Sequence, residues 1–297
     1  MKSNEPITLV LVCDNHLVVM LAVLLKSIEL TYGGDELISI YIVNDGLYKR
    51  NVEKINRTIS SNKIKIHWKT MKEAVPVNIE LPKDRSTLPI CAYIRLCAPY
   101  FLPKHIKRAI YLDVDMIVMK DISHLWNVDI GNYVIGAAID RADKVSTPWG
   151  GIPNYKELGI PAESKYFNSG LLIIDLEAWR NMNATQLVIN AIRDNYQYVT
   201  FSDQYGLNVV FANNWFELDP NWNRYPQESH KDPFLIHFTG MKPIFKSYDF
   251  NAEYKEVFYR ILYNTPFSNF KPKSNYLRLA KKAYNVLVKK VSVLSSF

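Results

Sequence analysis

Apolar positions fall into short runs whose period changes along the chain. Ile7 to Cys13 is apolar at all but one position and stops at Asp14, the pattern of a strand covered on both faces. Leu17 to Leu30 follows with helical periodicity and ends ahead of the stop signal Gly33-Gly34. Leu37 to Val43 predicts a second strand, closed by the turn Asn44-Asp45-Gly46. A polar helix over Leu47 to Ser60 leads to Lys63 to Trp68, which alternates as a strand should, and Ala109 to Leu112 is a short central strand. Tyr133 to Ile139, Gly170 to Asp175 and Leu235 to Phe238 read as further strands, with helices over Thr185 to Tyr196 and Asp203 to Phe211. Strands separated by helices imply βαβ units and a mostly parallel central sheet, an α/β fold that binds ligands beyond the carboxyl ends of its strands. With no repeat or linker before about residue 265, the expected organisation is one α/β domain over 1–264 and a tail over 265–297.

Charge changes this picture only at the tail. The net charge is +7, but from Val257 onward there are eight basic residues and no acidic one. The other 28 basic residues face 29 acidic ones, a net of −1 for the body. A nucleic-acid binder would more often carry its basic patch on the folded body, so no nucleic-acid partner is expected. Three cysteines (Cys13, Cys91, Cys97) are too few for a disulfide framework and read as reduced, structural residues. The opening residues lack the pattern of a signal peptide, and neither early apolar run approaches the roughly 20 residues that span a bilayer. The expectation is a cytosolic protein.

Tyr111-Leu112-Asp113-Val114-Asp115 carries the sharpest chemical signal. Strand alternation would point both carboxylates to one side, about 7 Å apart, and turn Val114 into the core. Such a pair can hold a hard divalent cation and a diphosphate, and without a cation its burial is costly. DxD alone recurs by chance; the apolar residues on both sides give this one a rigid mount. His237 closes Leu235-Ile236-His237-Phe238 and is either a third ligand, suited to Mn²⁺, or a satisfied half-buried histidine. Gly240 would let backbone approach a phosphate, and Lys242 would neutralise a diphosphate. Phe167-Asn168-Ser169-Gly170 suits sugar hydroxyls or an ordinary turn. Ser202 reads as the N-cap of a helix whose dipole Asp203 favours. Arg95, amid Tyr93, Leu96 and Cys97, must meet an anion, from the protein or from a ligand. No P-loop, GxGxxG or CxxC pair occurs.

Taken together, YLDVD, YFNSGLLIIDLEAWR, SDQYGLN and IHFTGMKP, with Asp14 at a strand end and Ala92-Tyr93-Ile94-Arg95-Leu96, resemble a retaining glycosyltransferase family. That family includes glycogenin and the bacterial lipooligosaccharide galactosyltransferases, has the GT-A fold, and is resembled over residues 7 to about 246. The resemblance implies a UDP-hexose donor (galactose or glucose), Mn²⁺ with Mg²⁺ as the alternative, and an α-linked product. By position it implies Asp113, Asp115 and His237 as metal ligands and Asp14 as the reader of uracil. Arg95, Val114, Asn168 and Ser169 match donor-binding positions, and Gly240 and Lys242 the diphosphate site. Asp140, Asp203 and Gln204 match residues around the transferred sugar. The pattern departs from the family at Asn15-His16-Leu17, where a Tyr is common, and at Tyr205, where close relatives often have Asp.

Gln204 is a poor nucleophile, so front-face attack by the acceptor is the favoured chemistry, with double displacement through Asp140 or Asp203 left open. A DxD phosphohydrolase of the haloacid-dehalogenase type is the alternative enzyme, though its first Asp normally lies near the chain start. A non-catalytic sugar-binding protein is the alternative without chemistry. The acceptor would be a lipid-linked glycan, a polysaccharide or a glycosylated protein. In the tail, Ala280, Ala283, Tyr284, Leu287, Val291 and Leu294 recur from Tyr276 at helical spacing, with Arg278, Lys281, Lys282 and Lys289 mainly opposite. That is a basic amphipathic helix, read either as an anchor on the anionic inner face of the cell membrane or as a helix docked by its apolar stripe.

Overall fold

A computed structural model describes residues 5–228 and 231–294, with side chains to residue 289. In chain order its elements are β1 (Ile7–Asp14), α1 (Val18–Thr31), β2 (Ile38–Asp45), α2 (Lys49–Asn56), β3 (Ile64–Thr70), α3 (Met71–Ala74), α4 (Ala98–Phe101), β4 (Arg108–Leu112), β5 (Met116–Val118) and α5 (Ser123–Trp126). There follow β6 (Ile135–Lys144), β7 (Lys165–Asp175), α6 (Leu176–Met182), α7 (Ala184–Asp194), α8 (Ser202–Val210), β8 (Phe216–Glu217), β9 (Leu235–His237), α9 (Ala252–Tyr263) and α10 (Asn275–Leu294). A 3₁₀ helix over Ile90–Cys97 precedes α4. These form two compact units: Met1–Met71, Ala109–Asp129 and Asp219–Asn275 in the first, and Lys72–Arg108, Ile130–Leu218 and Tyr276–Phe297 in the second.

Three parallel pairings build the first unit's sheet in the order β3-β2-β1-β4, with Ile7 facing Ile38, Ile38 facing Ile64 and Leu9 facing Ile110. β1 is buried from Ile7 through Cys13, Thr8 included, as its nearly continuous apolar run predicts. α1 is buried at every position from Val18 to Ile28, so it is a core helix rather than a surface one. It grips β5 through Ser27, whose hydroxyl donates to the Leu24 carbonyl at 2.7 Å and accepts from Val118 N–H at 3.0 Å.

In the second unit β7 pairs antiparallel with β6, and β6 parallel with β8. The β6–β7 register shifts on both sides of Ile139, so Asp140 leaves β6 from an irregular stretch. Such irregularities re-aim side chains. α8 packs closely on α7 because position 206 is glycine: a Cβ there would stand 2.7 Å from Ile192 Cγ1 and 2.9 Å from the Val188 carbonyl. The α/β class and the mostly parallel sheet agree with the sequence reading. All three cysteines are buried and free, and burial pushes the Cys97 thiol up to about 12. No helix among the described residues is long and apolar enough to cross a membrane.

α10 forms where the tail's spacing predicts a helix, and among the described residues it is not docked by its apolar stripe. Tyr276, Ala280, Ala283, Tyr284 and Leu287 of the apolar stripe are exposed, while Asn285 and Lys289 are buried. The helix is docked by its polar side. The side chains of Val291 and Leu294 lie outside the described residues.

Candidate functional site

In the first unit, β4 ends at Leu112 and the chain turns through Asp113–Asp115 before β5 begins. The two carboxylates therefore converge on a turn, not by the strand alternation the sequence suggested, while Val114 is buried as expected. β9 brings the third group. Its antiparallel register sets His237 opposite Met116, one residue past the turn, and Phe238 N–H donates to the Asp115 carbonyl at 2.9 Å. His237 Nε2 lies 3.4 Å from Asp115 Oδ1 and 3.9 Å from Asp113 Oδ2. One ligand atom from each of the three residues falls within 4.8 Å of the others.

The surrounding groups make this donor set fit a divalent cation. His237 Nδ1 is 2.9 Å from Asn223 Oδ1, an acceptor, so Nδ1 is the donor there and Nε2 is the ring atom that faces the two carboxylates and could take up a cation. The Tyr111 hydroxyl donates to Asp113 Oδ1 at 2.8 Å. Lys242 Nζ donates to Asp115 Oδ2 and, at 3.0 Å, to the Phe238 carbonyl. Asp115 thus divides its oxygens, one toward the lysine and one toward His237. Burial works against the Asp115 charge, but Lys242 and His237 outweigh it and hold its pKa below the usual carboxylate range. Lys242 supplies the compensating cation that the sequence reading required of a metal.

Gly240 follows with φ +75°, in the left-handed region, and nothing lies within 4 Å of where a Cβ would stand. Asp14 ends β1 outside the three-residue metal group. Its Oδ1 accepts from His16 N–H at 2.9 Å and Leu17 N–H at 3.2 Å, just ahead of α1. Lys273 lies beside it, its Nζ 3.5 Å from the His16 carbonyl. Burial lowers the Lys273 pKa, and the Asp14 charge opposes that.

A second polar cluster forms within the second unit. The 3₁₀ helix carries Arg95, whose Nε is 2.9 Å from Asp203 Oδ2 and whose Nη1 donates to the Ser169 carbonyl. The anion Arg95 was expected to meet is therefore a protein carboxylate. Asn168 and Ser169 lie inside β7, not in a turn ahead of it. Gln204 Oε1 accepts from Asn168 Nδ2 and Ser169 N–H, both at 3.1 Å. Asp140 Oδ2 accepts from Asn168 Nδ2 at 2.7 Å and Gln204 Nε2 at 3.3 Å. Gln204 is thereby fixed at both ends of its amide.

Ser202 is not an N-cap: it is the first residue of α8, has φ +50° and makes no capping bond. Asp203 is buried in its ion pair rather than serving only the helix dipole. Asn208, one turn along, clamps α8 to β7 by accepting from Phe167 N–H and donating to its carbonyl, both at 2.9 Å. Sequence reasoning missed Asn208, Asn223 and Lys273. Asn208 stood in the SDQYGLN motif, while nothing local marks the other two.

Comparisons with known proteins bear on the family and the fold. The profile of glycosyl transferase family 8 matches residues 8–244. General stress protein A of Bacillus subtilis is 27% identical over 269 residues, covering 81% of this chain and 87% of that protein. Glycosyltransferase GlyB of Streptococcus pneumoniae is 26% identical over 77% of this chain, which spans 55% of GlyB. The crystal structure of the galactosyltransferase LgtC, in complex with donor and acceptor sugar analogues, shares the fold with a TM-score of 0.70 at 22% identity. It covers 88% of this chain and 96% of LgtC.

Replacing Asn223 by Ala should leave the fold intact and weaken divalent-cation binding about 10- to 100-fold, because His237 then loses its orienting acceptor. Calorimetric titration with MnCl₂ reads this directly, and unchanged affinity would remove Asn223 from the site.

Proposed function

Because this chain belongs to glycosyl transferase family 8, we propose that it moves a hexose, galactose or glucose, from a UDP-sugar to a glycan hydroxyl in an α-linkage. The observation that carries this reading is the gathering of Asp113, Asp115 and His237 with Lys242 alongside. Held by those three residues, Mn²⁺, or Mg²⁺ in its place, would act as a Lewis acid on the donor diphosphate. Lys242 adds a point charge toward the leaving oxygens, and the Gly240 backbone can approach them closely. Asp14 accepts the uracil N3–H.

Within the second unit, Arg95 holds Asp203 and Ser169 in place, and Asn168 and Asp140 orient the Gln204 amide; the family resemblance assigns these residues to the transferred sugar. The acceptor hydroxyl attacks the anomeric carbon of the donor sugar from the face the diphosphate leaves, and its proton passes to the departing phosphate, so configuration is retained. A covalent route would fall to Asp140, which is half-exposed, before Asp203, which is buried against Arg95.

The acceptor we favour is a lipid-linked glycan, as in lipopolysaccharide, ahead of a polysaccharide or glycoprotein. We place the protein peripherally on the inner face of the cell membrane. The support is the tail: Tyr276, Tyr284 and Leu287 are 81%, 58% and 59% exposed on a segment with no acidic residue. An anionic lipid surface matches both the apolar stripe and the charge.

Two measurements test this reading. Titration with UDP, GDP and CDP in Mn²⁺ should give tightest binding for UDP, by about tenfold if one base hydrogen bond of about 1.4 kcal/mol discriminates. Equal affinities would refute base reading by Asp14. The exposed triple variant Tyr276→Ser, Tyr284→Ser, Leu287→Ser should keep donor hydrolysis but lose sedimentation with phosphatidylserine vesicles, on the order of tenfold or more. Unaltered sedimentation would refute the tail as anchor.

A further inference from the structure

The polar side on which α10 docks contains a buried lysine that no part of the proposed chemistry uses. Lys289 is 4% exposed, and its Nζ donates to Asp84 Oδ1 at 2.8 Å, Ser86 Oγ at 3.1 Å and the Ser86 carbonyl at 3.3 Å. One turn before it, Asn285 donates to the Thr87 carbonyl at 3.0 Å. Asp84 is itself closed off, with its side chain wholly buried. Its Oδ1 also accepts from Ser86 N–H at 2.5 Å, and its Oδ2 accepts from the Tyr93 hydroxyl. Burial opposes the Asp84 charge, and Lys289, Ser86 and Tyr93 more than offset it, so the group is held ionised below its ordinary range. An isolated Asp or Lys would not be stable in this position; each needs the other.

Tyr93 is the link to the second unit's polar cluster. It lies on the 3₁₀ helix Ile90–Cys97, two residues before Arg95, and it is fully buried with Ser202 and Asp203 beside it. That short helix therefore has a tyrosine bound to the Lys289–Asp84 pair and an arginine bound to Asp203 and Ser169. A 3₁₀ helix of eight residues has weak hydrogen bonds of its own, so its setting depends on such side-chain anchors. Within this one unit, the tail's ion pair is bonded through Tyr93 to the helix that carries Arg95.

We infer that Lys289 and Asp84 are positioning residues for sugar transfer, acting through Tyr93 and the 3₁₀ helix on Arg95 and Asp203. This rests on the reading that Arg95, Asp203 and Gln204 serve the donor sugar. The tail is thereby part of the machinery that sets turnover.

The test uses the full chain with Lys289→Met, which keeps the length and removes the charge, and Lys289→Arg, which restores it. Val257→Ala in α9 serves as a control for general loss of stability. With UDP-hexose, Mn²⁺ and an acceptor, Lys289→Met should lower kcat roughly 10- to 100-fold, the scale of an ångström-sized misplacement. UDP affinity should stay within about twofold and Lys289→Arg should recover most of kcat, because the change acts on orientation and not on donor binding.

Hydrogen exchange, which needs no substrate, should show the amides of residues 90–97 losing at least about tenfold protection in Lys289→Met but not in Val257→Ala. Unchanged protection of residues 90–97 in Lys289→Met would overturn the coupling. So would an unchanged kcat, or a fall in kcat matched by the control. If the native protein exchanges as expected but transfers no hexose from UDP, the functional reading fails and the coupling stands.

Discussion

Three residue pairs between β5 and β9 bring the candidate metal group together. Met116 faces His237, Ile117 faces Ile236 and Val118 faces Leu235. A ladder this short is marginal by itself. It holds because all six residues are buried and because the β5 end is bonded to Ser27 of the core helix α1. A slip of one residue would turn the His237 ring to the opposite face and empty the third ligand position, since side chains alternate with period two. The apolar character of this pair is thus what puts an imidazole against two carboxylates. Lys242 then makes the crowding of those carboxylates tolerable.

Elsewhere the polar groups obey a different constraint, the expense of burying charge. Arg95 and Asp203 are both nearly inaccessible, and each is stable there only because the other is present. The same holds for Lys289 and Asp84. An apolar replacement of similar volume would stabilise as well or better, which makes stability an incomplete reason for either pair. What the ion pairs add is direction: a guanidinium fork aimed at Ser169 and Asp203, and a tail helix seated in one register.

The sequence was most legible where one local rule operates. β1, α1 and β2 follow from largely apolar runs and their stop signals, and the ends of these elements fall within a few residues of expectation. The metal group was legible as residue types but not as geometry, since the turn at Asp113–Asp115 and the strand β5 after it are too short to show a period. Asn168 and Ser169 hid inside β7 because polar residues in a buried strand look like a turn. Asn223, fourteen residues from the ring it orients, carried no local mark. The tail shows the limit most clearly: the helical spacing was right, but nothing in the pattern showed that Asn285 and Lys289 turn inward. Pattern rules assign charged residues to solvent, and the carboxylate that draws Lys289 inward lies 205 residues away.

The central claim is that the Asp113–Asp115 turn and His237 hold a divalent cation against a nucleoside diphosphate. Crystals grown with MnCl₂ and UDP, measured at the manganese absorption edge, test it most directly. The account predicts a single strong anomalous peak in bonding contact with Asp113, Asp115 and His237 Nε2, with diphosphate oxygens completing its shell. That peak should vanish in the Asp115→Asn protein. Bound UDP with no peak there, or manganese held by other residues, would contradict it.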